Sequence, residues 1–241
     1  MEGPKVQLVV TCLVDALAPQ VGRATLSVLE NAGCEVEFPS GQTCCGQPAF
    51  NVGLHDEAKT MASHTLDLLD RTEGTIVLPS GSCAEMIVHR YPELFAGTER
   101  EDQARRVAAR TRELTQFLVD DLAVDAAASC SGCTVAYHYS CHGLRGLGLA
   151  GQADHLLRQV DRVELEGDKE CCGFGGLFSV EMGSISAAIM DEKLVRVEAS
   201  GADVLVGGDV SCLIHMEGGL RRRGSQIKVK HIAELLAGDQ E

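Results

Sequence analysis

Apolar positions along this chain follow two periods that alternate from the N-terminus onward. Residues 6–10, Val6-Gln7-Leu8-Val9-Val10, form a nearly unbroken apolar run of strand length that stops just before Cys12. Residues 19–31 carry Val21, Ala24, Leu26, Val28 and Leu29 in a helical pattern, and Asn31-Ala32-Gly33 is a helix-stop signal. Cys34-Glu35-Val36-Glu37-Phe38 alternates as a second strand, and a turn-rich stretch holding Cys44-Cys45-Gly46 follows. Residues 55–69 read as a helix with Met61, Thr65, Leu68 and Leu69 on its apolar side. Thr75-Ile76-Val77-Leu78 is a third strand and residues 79–83 the loop behind it. Residues 84–118 read as helical, including the charged stretch 99–113.

The second half replays this order. Residues 135–139 are a strand running up to Cys141, 152–160 a helix, 162–166 a strand, and 185–199 a helix stopped by Gly201. Residues 203–206 are a further strand, with Cys212 in the loop after it. Arg112-Glu113-Leu114-Thr115-Gln116-Phe117-Leu118 recurs as Lys230-His231-Ile232-Ala233-Glu234-Leu235-Leu236. Strands alternating with helices imply parallel βαβ units. The expected fold class is therefore α/β, built as two pseudo-symmetric parallel βαβ-type repeats. Residues 1–120 and 134–241 are the expected domains, and 121–133 is an Ala-rich linker broken by Ser131-Gly132.

The cysteines carry the same duplication. Cys44-Cys45-Gly46-Gln47-Pro48 has a counterpart in Cys171-Cys172-Gly173-Phe174-Gly175-Gly176, and each pair lies between a lone earlier cysteine (Cys12, Cys141) and a lone later one (Cys83, Cys212). The offsets are 129 residues for the first cysteine, 127 for the pair and 129 for the last. Such agreement marks a tandem repeat with one ligand set per copy. Loops at the C-terminal ends of parallel strands gather at one edge of the sheet, so each set is placed to converge there.

Composition narrows the chemistry. A net charge of −14 argues against nucleic acid or an anionic membrane as the main partner, since both need a basic surface. Arg221-Arg222-Arg223 reads as a solvated helix end complementing the helix dipole. No apolar run approaches the roughly 20 residues of a transmembrane span. Ala16-Leu17-Ala18 resembles a signal-peptidase site, but Asp15 interrupts the apolar run, and the same strand-then-cysteine pattern recurs mid-chain. Eleven cysteines is an odd number, which leaves at least one out of any disulfide scheme. The expected compartment is the reducing cytoplasm, where cysteines serve metal or redox chemistry.

Thiolate suits iron–sulfur clusters, zinc and cuprous ions, and four cysteines suffice for zinc or for a cubane cluster. Adjacent cysteines in an extended loop point in different directions, which favours a cluster with separate irons over one small tetrahedral ion. The glycines that follow let backbone approach bulky inorganic matter and adopt positive φ.

A lone Cys, then Cys-Cys-Gly, then a last Cys, all doubled, resembles the cysteine-rich CCG domain. That domain occurs in the catalytic subunit of heterodisulfide reductases and in iron–sulfur subunits of glycolate and anaerobic glycerol-3-phosphate dehydrogenases. A chain of two such repeats, with Tyr137-His138-Tyr139-Ser140-Cys141-His142-Gly143-Leu144-Arg145 opening the second, is most similar to the lactate-utilization A family. The resemblance implies a part in oxidising L-lactate to pyruvate alongside two companion subunits. It also implies iron–sulfur binding, inferred for the domain from relatives with unusual non-cubane 4Fe–4S clusters. Up to two 4Fe–4S clusters are expected, one on Cys12, Cys44, Cys45 and Cys83, the other on Cys141, Cys171, Cys172 and Cys212.

Departures from the pattern matter. The fuller motif ends in Cys-x-x-Cys, and its penultimate cysteine is replaced by Ser80 in one half and Asp209 in the other. Each set then has four cysteines, which leaves the cluster's form open. Asp209 is assigned a capping or turn role ahead of an oxygen ligand. The usual acidic residue before Ser-Cys-His is Tyr139 here, and no Cys-x-x-Cys-x-x-Cys ferredoxin run is present.

His142, next to a ligand cysteine, is a candidate for orienting it or transferring protons, and Arg145 for offsetting a cluster's charge. Gly146-Leu147-Gly148-Leu149-Ala150-Gly151 matches a dinucleotide fingerprint, with Glu164 or Glu166 near the ribose position. The loop before it is too long for the tight turn, and the first half has no counterpart. Cys130 and Cys133 read as a reduced linker pair, with a redox dithiol or shared zinc as alternatives. Cys34 and His138 read as packed residues. No flavin or nicotinamide fingerprint is present, so hydride chemistry falls to a partner. The other functional readings are a zinc-stabilised assembly scaffold, or an iron–sulfur subunit acting on glycolate, glycerol phosphate or a heterodisulfide.

Overall fold

Both halves of the chain build a parallel sheet. The computed structural model describes residues 3–125, 128–130 and 132–238. In the first half, β1 (Lys5–Leu8), β2 (Glu35–Glu37), β3 (Thr75–Leu78) and β4 (Thr111–Glu113) lie in the order β2-β1-β3-β4, all parallel. In the second, β5 (Val135–His138), β6 (Val204–Gly207) and β7 (Lys228–His231) lie in the order β5-β6-β7, again parallel. The most apolar strands, β3 and β6, are internal, as expected for strands covered on both faces.

Alternation along the strands explains how the halves join. Val6, Leu8 and Val77 from the first sheet and Val135, Tyr137, Val204 and Val206 from the second enter one common core. Their neighbours Ile76 and Leu78 face the helices of the first half, and Ala136 and Leu205 those of the second. Successive side chains of a strand point to opposite faces, so each sheet gives one face to its own helices and the other to the shared core. The helix Ile232–Leu236 of the second half packs on Pro19–Asn31 of the first. Among the described residues no helix is long and apolar enough to cross a membrane.

Several elements differ from the sequence expectation, among them the helix expected over 152–160, which ends at Leu156, and the strand Lys228–His231, which was not expected. Residues 84–118 are not helical throughout: after the helix Glu101–Ala109 the chain extends as β4 beside β3. A three-residue strand of sequence Thr-Arg-Glu has little β signal of its own, and pairing with β3 decides it. Residues 162–166 are not a strand but a single parallel bridge, Val135 with Arg162, after which the chain turns at Gly167. Lys193 fastens that turn, donating to the carbonyls of Gly167 (2.7 Å), Asp168 (3.2 Å) and Glu170 (2.9 Å). Finally, Cys83 and Cys212 lie not in loops but in the first turns of the helices Gly81–Glu85 and Val210–Arg222.

Candidate metal centre

Each cysteine reaches the centre by a local device, and the device is the same in both halves. Cys12 opens the helix Cys12–Leu17 directly after β1, and Cys141 precedes the π-helical turn His142–Gly146 after β5. The adjacent pairs end in Gly46 (φ +87°) and Gly173 (φ +89°), a left-handed turn that favours glycine. A Cβ at Gly46 would stand 3.0 Å from the Ala58 carbonyl oxygen, and one at Gly173 would stand 2.5 Å from that of Ser186. Cys83 and Cys212 are held by the caps of their helices. Ser80 Oγ accepts from Cys83 N at 3.3 Å, and Asp209 Oδ1 accepts from Ser211 N at 3.1 Å.

All eight cysteines of the two motifs line one cavity of about 300 Å³ between the halves. Within it they form two chains of contacting thiols, Cys12–Cys44–Cys45–Cys83 and Cys141–Cys171–Cys172–Cys212. The Cys45 and Cys83 sulfurs are 3.4 Å apart, and Cys171 Sγ accepts from Gly173 N at 3.3 Å. Hydrogen bonds from the thiols of Cys12 and Cys45 hold Cys44 far below the usual thiol range, at about 2. The donors move oppositely: bonding to Cys44, then burial, pushes Cys12 up, and bonding to Cys44 and Cys83, then burial, pushes Cys45 up. Cys171 is lowered by Cys141 and Cys172 in the same way, and both of those are raised. Each set thus ionises as a unit around one central thiolate. Soft metals bind thiolates and displace the remaining protons, and these donors are of that class.

Spacing bears on what fits. Four sulfurs around one zinc ion, at about 2.3 Å each, stand roughly 3.8 Å from one another. Among the described residues, only His138, Cys172 and Cys212 put three ligand atoms within 4.8 Å of one another. Neither four-cysteine set is that tight.

The remaining candidates divide. His142 lines the cavity, and its Nδ1 stands 3.4 Å from Oε2 of the buried Glu85, which Arg90 also pairs at 3.1 Å. Arg145 is exposed and outside the cavity wall, reaching the set only through its field on Cys141. Asp209 is 2% exposed with both oxygens engaged: Oδ2 accepts from Ser80 Oγ (3.2 Å) and Ser82 N (2.9 Å), Oδ1 from Ser211 N (3.1 Å) and Ser211 Oγ (2.6 Å). Cys34 is buried away from the cavity. Cys130 and Cys133 are joined as a disulfide outside it (Cα–Cα 5.7 Å), where a reduced pair was expected; their short spacing brings the two within bonding reach. In the dinucleotide-like run, a Cβ on Gly146 would stand 2.5 Å from Glu85 Cγ, so that glycine serves packing.

Sequence reasoning missed the supports. Tyr91 Oη donates to the Cys45 carbonyl at 2.9 Å, and Gln47 Nε2 donates to that of Ser82 at 3.1 Å. Neither carries a motif; their roles arise from residues 46 and 35 positions away. His138, read as packed, is buried but stands beside sulfur.

The duplicated geometry has a counterpart among known proteins. The family model of the CCG cysteine-rich domain matches residues 6–88 and 135–217. This chain belongs to the CCG cysteine-rich family. Its two CCG copies hold the two cysteine sets described above. Over nearly its whole length the chain is similar to lactate utilization A proteins. It is 45% identical to that of Halalkalibacterium halodurans over 236 residues, covering 96% of both chains. It is 47% identical to that of an Exiguobacterium species over 238 residues, covering 97% of both. The fold is similar to the crystal structure of a hypothetical protein from Helicobacter pylori, with a TM-score of 0.67 and 11% sequence identity. That likeness covers 100% of this chain and 52% of the other, so the CCG chain spans about half of that protein.

Proposed function

We propose that this chain is an iron–sulfur subunit of an oxidoreductase that oxidises L-lactate to pyruvate in the cytoplasm, passing electrons with companion subunits. The observation that carries this reading is the convergence of eight cysteines, contributed equally by two repeats, on one cavity. The names of the relatives, similar end to end, supply the pathway. Residues 1–120 and 134–241 are the two units, joined by 121–133. Cys12, Cys44, Cys45 and Cys83 hold one cluster, and Cys141, Cys171, Cys172 and Cys212 the other. When bound, such clusters supply one-electron donors and acceptors.

The chain's own residues do the rest. Cys44 and Cys171 offer a thiolate before any metal arrives, and the glycine turns after each pair bring the loop against its neighbouring helix. His142, tied to Glu85, borders the cavity where it takes or returns a proton. Neighbouring sulfurs touch, but no three cysteines of either set lie within 4.8 Å of one another, and donors drawn out in this way suit a cluster with separate irons better than one tetrahedral ion. Hydride removal from lactate falls to a companion subunit.

Anaerobic purification with iron, sulfide and zinc analysis tests the cluster reading, which expects iron and sulfide together. Zinc without sulfide supports the second reading, a zinc-stabilised scaffold for the companion subunits. The close trio of His138, Cys172 and Cys212 is the observation in its favour. A deletion strain tests the substrate: loss of growth on lactate is expected, whereas normal growth with no redundant enzyme points to another donor.

A further inference from the structure

One side chain faces the second cysteine set with no partner of its own. His138 ends β5, is 1% exposed, and neither ring nitrogen has a hydrogen bond of normal geometry. Buried polar atoms are nearly always satisfied, so an imidazole left open on both sides calls for a ligand. Its ligand atom lies within 4.8 Å of both Cys172 Sγ and Cys212 Sγ, the only such trio among the described residues. The Asp168 carbonyl lies close to the ring. A ring nitrogen whose hydrogen faces a backbone carbonyl leaves the other nitrogen free for a metal.

The first half has no equivalent. By the 129-residue offset that relates Cys12 to Cys141, the position of His138 corresponds to Val9, a core residue packed with Cys45. The repeats therefore present different donors to one cavity, all-thiolate in one half and thiolate plus imidazole in the other.

We propose that His138 is a nitrogen ligand of the metal held by the second cysteine set, alongside Cys172 and Cys212. This rests on the reading of that set as an iron–sulfur site. An imidazole adds no negative charge to the cluster, whereas a thiolate does. His138 is thus a fifth donor beside Cys141, Cys171, Cys172 and Cys212, and its nitrogen makes the second site chemically distinct from the all-cysteine first site.

The test uses the full chain, purified anaerobically with ordinary or ¹⁵N-labelled histidine and reduced, and reads nitrogen couplings by pulsed EPR. A strongly coupled nitrogen that responds to the label is expected. It is lost in His138→Leu and kept in His142→Leu, the ring that also borders the cavity. Val9 shows that a branched aliphatic side chain fits the equivalent site, and the labelled wild type needs no substitution. Iron and sulfide present without a label-sensitive nitrogen overturn the inference and leave the cluster reading standing. A coupling that survives His138→Leu does the same. If the wild type holds neither iron nor sulfide, the cluster reading fails, and cobalt(II) becomes the probe of the same donors. The ligand is then upheld if His138→Leu weakens cobalt binding by roughly tenfold or more, and overturned if binding is unchanged.

Discussion

Ser80 and Asp209, 129 residues apart, form an antiparallel bridge at the centre of the molecule, and the serine hydroxyl donates to Asp209 Oδ2 at 3.2 Å. They are equivalent positions in the two repeats, each capping the helix that carries the last cysteine of its own set. The places where the repeat lacks a cysteine are thus where the two halves are stitched together. Asp209 also accepts from Ser82 N at 2.9 Å, so one carboxylate organises the starts of two helices.

Asp209→Ala is expected to destabilise the fold by about 3 kcal/mol, since it removes a helix cap and leaves several buried donors unpaired. Urea unfolding measures this, and a loss under about 1 kcal/mol would show that the stitch is dispensable. Metal uptake should fall in both sets together, because both last cysteines move.

The equivalent caps Glu113 and His231 titrate in opposite directions. Burial, partly offset by hydrogen bonds from Thr115 and Gln116, raises Glu113 from 4.5 to about 7. Its contribution to stability is complete below about 4.5 and is lost as pH rises through about 7, on the order of 3 kcal/mol. Burial lowers His231 from 6.5 to about 4, so its contribution is complete above 6.5 and is lost as pH falls through about 4. Relative to wild type, Glu113→Gln should gain stability as pH rises from 4.5 to 7. His231→Asn, which keeps a capping side chain, should gain as pH falls from 6.5 to 4. Unfolding midpoints across this range decide; parallel profiles for both variants would refute the assignment.

Cys45→Ser and Cys172→Ser should each lower bound iron and sulfide by about half, because each removes one ligand of one four-cysteine set. Cys34→Ser, outside the cavity, should leave both unchanged. Equal and complete loss in the two cavity variants would mean that the sets assemble only as one.

Gly173→Ala should be more harmful than Gly176→Ala although both glycines have positive φ. The added Cβ at Gly173 meets the Ser186 carbonyl oxygen at 2.5 Å, whereas that at Gly176 meets nothing within 4 Å. Backbone strain alone costs about 1 kcal/mol, and the clash adds displacement of the Cys171-Cys172 loop. Thermal unfolding and iron content read both effects. Equal losses would show that strain alone sets the requirement for glycine.

By itself, the sequence determined what depends on near neighbours. The helices Pro19–Asn31 and His55–Leu69 and the strand Thr75–Leu78 were legible because apolar spacing within a few residues sets them. The cysteine duplication was legible for another reason: a repeat is a property of spacing along the chain. Local pattern is silent where stability comes from a distant partner. Thr111–Glu113 becomes a strand because β3 lies beside it, and Arg162 makes one bridge and no more because the chain turns away at Gly167. Convergence of the two sets on one cavity, the engagement of Asp209 by Ser80, and the placing of His138 against Cys172 and Cys212 were all decided by tertiary structure. Each joins residues at least 34 positions apart, and packing of two sheets on one core brings them together.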